Sequence, residues 1–223
     1  MLAEQKVVGS NPVGRTILRR PGRVFLLYND AMKQNKYGNK TGVKTKNRRY
    51  QKTEEAILEA LMKSKELPSA GTLVKRARIS RSTLYRHHKT VPGILPDYEK
   101  EVLDRYSGLI RKLLKRKNTQ VRTICLRSLI FMMTERRYFG ILLKYDGGVI
   151  IEKMVFKTKN KLRRTCCLPT NPDKMLRVYA KEVSGVIEEW CDQGFSENEL
   201  EVVLDKILYL TDTMKQRLEP VNY

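Results

Sequence analysis

Residues 67–95, LPSAGTLVKRARISRSTLYRHHKTVPGIL, constrain the fold of this chain more than any other segment. Ser69 and Ser80 each precede a short helical pattern, and serine is a favoured N-terminal cap of a helix. The apolar residues expected to face the core are Leu73, Val74, Ala77 and, in the turn, Ile79. The segment therefore predicts two short helices joined by a tight turn at Arg78-Ile79-Ser80.

Helical periodicity also continues on both sides of this segment. Thr53 is the predicted cap of an earlier amphipathic helix, with Glu54 and Glu55 in its first turn. Apolar residues recur at helical spacing over 97–116, 119–136, 138–145, 148–160, 173–193 and 197–218. No alternating strand pattern is present. We therefore expect an all-α protein with a three-helix domain, containing a helix-turn-helix, at 53–95 and a larger helical domain at 96–223.

Charge is abundant and unevenly distributed, with 45 basic and 24 acidic side chains and a net charge of +21. Residues 1–52 hold 13 basic and 2 acidic side chains, and residues 53–170 hold 26 and 11. Residues 171–223 reverse the sign, with 6 basic and 11 acidic side chains. The basic part favours a polyanionic partner, and the acidic end suits contact with another protein chain.

Several classes of function lack their sequence signatures. No apolar run is long enough for a transmembrane helix, and no signal peptide is recognised, so we expect a cytoplasmic protein without a membrane partner. The motifs GxSxG and HExxH, a phosphate-binding glycine-rich loop and a Cys/His metal cluster are missing, so we expect no enzyme, cofactor or metal. The four cysteines are expected to be reduced thiols, with a redox or metal sensor at Cys166-Cys167 as the alternative.

The N-terminal residues 1–52 read as a basic, disordered extension. Within it, residues 9–15, GSNPVGR, can be back-translated into the T-arm consensus of a transfer-RNA gene. We hypothesise that residues 1–31 are not translated natively and that Met32 is the initiator; coincidence is the alternative. Residues 32–52 are either a solvated tail or an arm that lies along a nucleic-acid backbone.

The helix-turn-helix segment resembles the TetR/AcrR family of repressors, whose pattern is roughly T-x-x-x-I-A-x-x-A-G-V-S-x-G-T-L-Y-x-Y/H-F. The residues that match the pattern are Ser69, Leu73-Val74, Ala77, Ile79-Ser80, Thr83-Leu84-Tyr85 and His87. The departures are Arg78 and Ser82 at the two glycines, His88 at the phenylalanine, and Val91 where many members carry a lysine. Arg78 implies either a less relaxed turn or one that needs no left-handed residue.

The resemblance implies that the helix Arg81–His87 lies in the major groove of double-stranded DNA. Arg81 and Arg86 are the first candidates for reading bases, because arginine pairs bidentately with guanine. Ser82 and His87 are expected on or near the same exposed face. The phosphate-binding roles in the family carry over to Ser69, Thr83, Tyr85 and Lys89. The alternative for His87-His88 is a structural or phosphate-facing role, which we favour over a metal site.

The same resemblance implies a C-terminal domain that dimerises and binds an effector. A two-fold, four-helix homodimer interface is expected from the apolar stripes of the last two helices, with core packing as the alternative: Tyr179, Val183, Val186, Ile187, Trp190, Val203, Leu204, Ile207 and Met214. A small-molecule pocket is hypothesised at Phe131, Met132, Met133, Tyr138, Phe139, Met154 and Phe156, although such residues are more often plain core.

We therefore expect a sequence-specific transcriptional regulator, with a repressor that binds a palindromic operator as the leading interpretation. One alternative is a non-specific architectural nucleic-acid-binding protein that depends on charge. The other is an activator or adaptor with the same scaffold.

Overall fold

The computed structural model describes residues 48–115, 119–165 and 173–216, with the side chains of 160–165 excepted. Across these ranges the chain forms nine α-helices, one 3-10 turn at Glu197–Glu199 and no strand, which confirms the all-α class. The helices are α1 (Arg48–Met62), α2 (Ala70–Ala77), α3 (Arg81–His87), α4 (Ile94–Leu114), α5 (Val121–Thr134), α6 (Arg136–Asp146), α7 (Val149–Thr165), α8 (Asp173–Asp192) and α9 (Leu200–Gln216).

The first three helices share one buried centre. Ile57 and Leu61 of α1, Leu73 of α2 and Leu84 of α3 are at most 1% exposed. Helices as short as α2 and α3 are marginal in isolation, because nucleation fixes many dihedral angles for few hydrogen bonds. Each buried leucine contributes about 1.5–3 kcal/mol. Packing on α1 is therefore what stabilises the two short helices.

Helix α1 begins at Arg48, upstream of the predicted cap, and the prediction of Thr53 as its N-cap is wrong. The Thr53 hydroxyl donates to the Arg49 carbonyl at 3.0 Å, a hydrogen bond made inside a helix. The ring of Tyr50 stacks on His87, which holds the first turn of α1 against the end of α3. Residues 48–52 are therefore helical, while the rest of the predicted extension lies outside the described residues.

The long helix α4 connects the three N-terminal helices with the larger helical body. Its buried stripe contacts α6 and α7 along its length and includes Ile94, Tyr98, Val102, Tyr106 and Ile110. Pro96 falls in the first turn, where a helix loses nothing by the missing N–H. The buried apolar residues, from Ile57 in α1 to Met214 in α9, form one continuous cluster. The three N-terminal helices and the larger helical body therefore share one hydrophobic core.

Helices α8 and α9 form the expected hairpin, but the predicted interface stripes face inward. Eight of the nine residues are buried in the single chain, with exposures between 0% and 5%, and Val186 is half-buried. The Tyr179 hydroxyl lies 2.9 Å from that of Thr211, and Trp190 Nε1 donates to the Ser196 carbonyl. Side chains with no exposed surface have none to bury against a partner. The assignment of these eight residues to a dimer interface is therefore wrong, and they form the core instead, whereas that of the half-buried Val186 stays a prediction.

Candidate nucleic-acid interface

Helix α3 is anchored by one apolar residue and displays polar residues around it. Its bounds, Arg81–His87, agree with the prediction from the sequence. Leu84 is 1% exposed and packs into the core, whereas Tyr85 is 50% exposed. Arg81, Ser82 and Arg86 are also exposed, and Thr83 is half-buried. An exposed basic and hydroxyl-bearing face can therefore meet a polyanion without loosening the core contact.

Both serine caps form as predicted from the sequence. The Thr72 N–H donates to Ser69 Oγ at 3.3 Å, and the Thr83 N–H donates to Ser80 Oγ at 3.1 Å. The Thr83 hydroxyl also lies 2.8 Å from Ser80 Oγ, so it is engaged in the cap as well as near the surface. The caps fix where α2 and α3 begin, and thereby the direction in which the exposed side chains point.

The turn between α2 and α3 contains a left-handed residue. Arg78 has φ 54° and ψ 44°, and its N–H donates to the Val74 carbonyl at the end of α2. Of the two alternatives for this position, the structure supports the strained one, because arginine adopts here a conformation that glycine adopts freely. The Arg78 side chain itself is exposed.

A continuous set of cations surrounds α3. No acidic residue occurs between Glu66 and Asp97 in the sequence. Six basic side chains in this interval are exposed: Lys75, Arg76, Arg78, Arg81, Arg86 and Lys89. A Cβ added to Gly71 would lie 3.6 Å from an Arg81 guanidinium nitrogen, so Arg81 reaches back over the start of α2. The face made by α2, the turn and α3 is accordingly positive throughout.

His87 is not on the exposed face, and that part of the prediction is wrong. Its imidazole is only 4% exposed, stacks on Tyr50 with ring centroids 4.1 Å apart, and places Nδ1 2.6 Å from Glu54 Oε1. His87 ends α3 at the point where the helix turns toward α1, which draws the ring inward. Of the remaining predicted contact residues, Ser69 and Lys89 are exposed beside Ser82 and Arg86, as expected.

The buried carboxylate of Glu54 lies within hydrogen-bonding distance of both histidines of the chain. Glu54 Oε2 accepts a hydrogen bond from the Tyr98 hydroxyl at 3.0 Å and lies 3.2 Å from His88 Nε2. The other His88 nitrogen, Nδ1, lies 2.9 Å from Asp97 Oδ2. Burial alone would raise the pKa of Glu54, but the hydrogen bonds from His88 and His87 outweigh it and lower that pKa to about 2. Glu54 is therefore ionised at neutral pH.

The sequence predicts Glu54 in the first turn of its helix and does not predict this cluster. A signal was present, because Glu54 shares the helical face of Ile57, Leu58 and Leu61, all of which are buried. A carboxylate within an apolar stripe needs a partner once it is buried. The partners themselves lie more than thirty residues away along the chain.

A second set of contacts joins the three N-terminal helices to the body at the end of α1. The Tyr145 hydroxyl lies 3.0 Å from the Leu61 carbonyl, 2.9 Å from that of Ser64 and 3.3 Å from that of Glu66. Lys144 Nζ donates to the Met62 carbonyl at 3.0 Å. These side chains, at the end of α6, contact carbonyls in the last turn of α1 and in the segment that follows it, and the single hydroxyl proton of Tyr145 is donated to one of its three neighbours at a time.

The body contains a cavity of about 60 Å³, in a different place from the predicted pocket. Met132 and Met154 line it, but the other five predicted residues do not. Phe139 is fully buried core, Phe131 packs against Tyr106 and Phe139, and Tyr138 packs edge-on against Tyr98. The actual lining is Tyr106, Val121, Ile124, Cys125, Ser128, Leu129, Met132, Ile151, Met154, Val155, Thr158, Tyr179, Val183 and Ile207. The Met and Phe side chains of the predicted pocket therefore mostly pack in the hydrophobic core and do not line the cavity.

Comparisons with protein-family models, with curated proteins and with solved structures find no match for this chain. None of the helices in the described ranges is both long and apolar enough to cross a membrane. In the same ranges, no group of His, Cys, Asp and Glu side chains is arranged to hold a metal ion. The Cys166-Cys167 pair lies outside the described residues.

Proposed function

We propose that the protein is a sequence-specific DNA-binding regulator of transcription and that α1–α3 are its helix-turn-helix domain. The observation that carries this proposal is the face of α3. Two arginines and two hydroxyl-bearing residues, Arg81, Arg86, Ser82 and Tyr85, are exposed there around the buried anchor Leu84. A short helix held from behind and exposed in this way has the form of a recognition helix.

The side-chain chemistry of the exposed residues indicates which of them contact bases and which contact phosphates. Arg81 and Arg86 are the proposed base readers, since the guanidinium fork matches guanine O6 and N7. The proposed phosphate contacts are Ser69, Tyr85, Lys89 and Thr83. The Thr83 hydroxyl also contacts Ser80 Oγ, the N-cap of α3. Phosphate contacts set the register of the helix, and base contacts give the sequence preference.

A regulator of this kind reads a palindrome as a homodimer, and the dimer surface proposed here is the outer face of the α8–α9 hairpin. Val178, Val202 and Tyr209 are large apolar side chains that are 47%, 46% and 72% exposed. Lys206 and Glu189 pair at 2.9 Å across the hairpin, so the two outer faces are adjacent. This surface replaces the inward-facing stripes as the proposed interface, and it belongs to the acidic end of the chain.

The family resemblance implies that a small-molecule effector releases the regulator from its DNA. The cavity of about 60 Å³ in the body is the proposed place for it, with an apolar lining apart from groups such as the hydrogen-bonded Tyr106–Ser128 pair. An engineered apolar cavity of about 150 Å³ admits benzene. An effector of that size or larger would therefore have to open the space between α5, α7 and α8.

The alternative is a protein that binds nucleic acid without sequence preference, and the net charge of +21 favours it. Selection of bound duplexes from a random pool, at two salt concentrations, separates the two. A sequence-specific dimer enriches a motif with two-fold symmetry whose half-sites are about one helical turn apart. Equal affinity for all duplexes, decreasing together as salt rises, would establish the alternative instead.

A further inference from the structure

The buried cluster around Glu54 lies where three parts of the fold meet. Glu54 comes from α1, His87 and His88 are the last residue and the C-cap of α3, and Asp97 and Tyr98 come from the first turns of α4. The end of the recognition helix is thus attached through one carboxylate to α1, and through another to the helix that runs into the body.

His88 must carry both ring protons in this arrangement. Its Nε2 faces the Glu54 carboxylate at 3.2 Å and its Nδ1 faces the Asp97 carboxylate at 2.9 Å. A neutral imidazole has one N–H and one lone pair, so one of its nitrogens would point a lone pair at a carboxylate oxygen. The imidazolium donates to both carboxylates and avoids that repulsion.

The tyrosine hydroxyls near the cluster do not exchange this proton near neutral pH. Burial, followed by the charge of Glu54, raises the pKa values of Tyr50 and Tyr98, so both phenols stay protonated. Burial and Glu101 raise the pKa of Tyr138, behind Tyr98, to about 12. For His88, burial alone would lower the pKa, but hydrogen bonds to Glu54 and Asp97 outweigh it and raise the pKa above its ordinary value.

The carboxylates of Glu54 and Asp97 differ in how easily they can separate from His88. The side chain of Glu54 is 10% exposed, whereas that of Asp97 is 58% exposed. When His88 loses one proton, the carboxylate with access to water can be released at little cost, and the buried one cannot. Deprotonation therefore breaks the His88–Asp97 link first and loosens the attachment of α3 to α4, which then depends on the edge-on packing of His88 against Tyr98 and on their shared contact with Glu54.

We infer that Glu54 is a positioning residue and that Glu54, His88 and Asp97 form a proton-dependent clamp, which holds the recognition helix in its reading position and loosens its attachment to α4 as pH rises. The DNA-reading part of this inference rests on the proposed function. The clamp itself, a doubly protonated histidine between two carboxylates, does not.

The first test needs no DNA. The chain has two histidines, and both belong to the cluster, so a histidine-selective nitrogen-15 NMR spectrum of the full chain reports on it directly. We expect one histidine, assigned to His88 with a His87→Gln variant, to be protonated on both nitrogens at about pH 6.5, the ordinary midpoint for this side chain. A single neutral tautomer at His88 at that pH would overturn the clamp.

The second test compares Asp97→Asn with Asp104→Asn, an exposed acid two turns further along α4. The wild type should prefer a selected duplex over a random one more strongly at pH 6.5 than at pH 8.5, because the His88–Asp97 link is made only while His88 is protonated. Asp97→Asn should lose this pH dependence and Asp104→Asn should keep it. An unchanged dependence in Asp97→Asn would overturn the inference.

The two tests also separate this inference from the proposed function. If the wild type binds no duplex at either pH, the DNA-reading proposal fails, and the NMR titration alone decides whether the clamp exists. If the wild type prefers its selected duplex equally at both pH values, the proposed function stands and the clamp does not control it.

Discussion

Arg78 holds the turn between α2 and α3 in a conformation that disfavours every residue with a Cβ. Its φ of 54° and ψ of 44° lie in the left-handed region, where such residues are destabilised by about 1–2 kcal/mol. The Arg78 N–H still closes α2 by donating to the Val74 carbonyl. The side chain adds a cation to the face that surrounds α3. Strain in the backbone and charge at the interface thus reside in the same residue.

Replacing Arg78 with glycine should stabilise the fold. The strain relieved exceeds the extra unfolded-state entropy of glycine, which leaves a gain of about 0.5–1 kcal/mol. Urea denaturation of Arg78→Gly and Arg78→Ala measures this gain, since the alanine variant loses the charge but keeps the strain. Equal stability of the two variants would show that backbone strain at this turn is not the cause.

At the scale of helices, the end of α6 supports the end of α1. The Tyr145 hydroxyl lies among three carbonyls at 2.9–3.3 Å, and Lys144 donates to a fourth. These contacts are the counterpart of the Glu54 cluster, because that cluster attaches the middle of α1 to α4 and these contacts attach its end to α6. Helix α1 is therefore held by the body at its middle and at its end.

Tyr145→Phe should weaken this attachment with little change elsewhere. Loss of a hydrogen bond to partly buried carbonyls is expected to destabilise the protein by about 1 kcal/mol. Hydrogen exchange should show faster opening of the last turn of α1, while the core of α8 and α9 is unaffected. Tyr85→Phe is the matched control for this measurement without DNA, because that ring is 50% exposed and lies away from the end of α1. A loss of stability of the same size in the control would contradict the role of Tyr145.

At the scale of helices, the sequence predicts features that depend on neighbouring residues and misses features that depend on residues distant in the chain. Ser69 and Ser80 accept from residues three positions later, so local pattern was sufficient to locate the starts of α2 and α3. Thr53 has the same local preference, but the helix starts earlier because Tyr50 stacks on a distant histidine. The Glu54 cluster and the inward orientation of His87 depend on contacts across 33 residues, which no local pattern contains.

On the scale of the whole molecule, positive and negative charge are unevenly distributed along the chain. The exposed cations of residues 75–89 surround α3, whereas acidic side chains outnumber basic ones in residues 171–223. The outer hairpin face carries Val178, Val202 and Tyr209. Apolar stripes alone could not distinguish an interface from a core, because both show helical periodicity, and the inner stripes proved to be core.

Tyr209→Glu should therefore shift the protein from dimer to monomer. A charge introduced at the centre of an apolar interface is left without a partner, which is expected to weaken association by about 2–5 kcal/mol. Sedimentation at several protein concentrations measures the change, with Val149→Glu as the control because Val149 is 40% exposed on α7. Identical association of both variants and the wild type would remove the hairpin face as the dimer surface.

The central claim is that α3 reads base sequence, and the most direct measurement compares Arg81→Ala with Lys89→Ala. Each variant is titrated with the duplex selected by the wild type and with random duplex, and Lys181→Ala, exposed on α8, serves as the control. Arg81→Ala should weaken binding to the selected duplex by about 1–3 kcal/mol and leave random binding nearly unchanged, whereas Lys89→Ala should weaken both alike. Equal losses on the two duplexes in Arg81→Ala would contradict the claim.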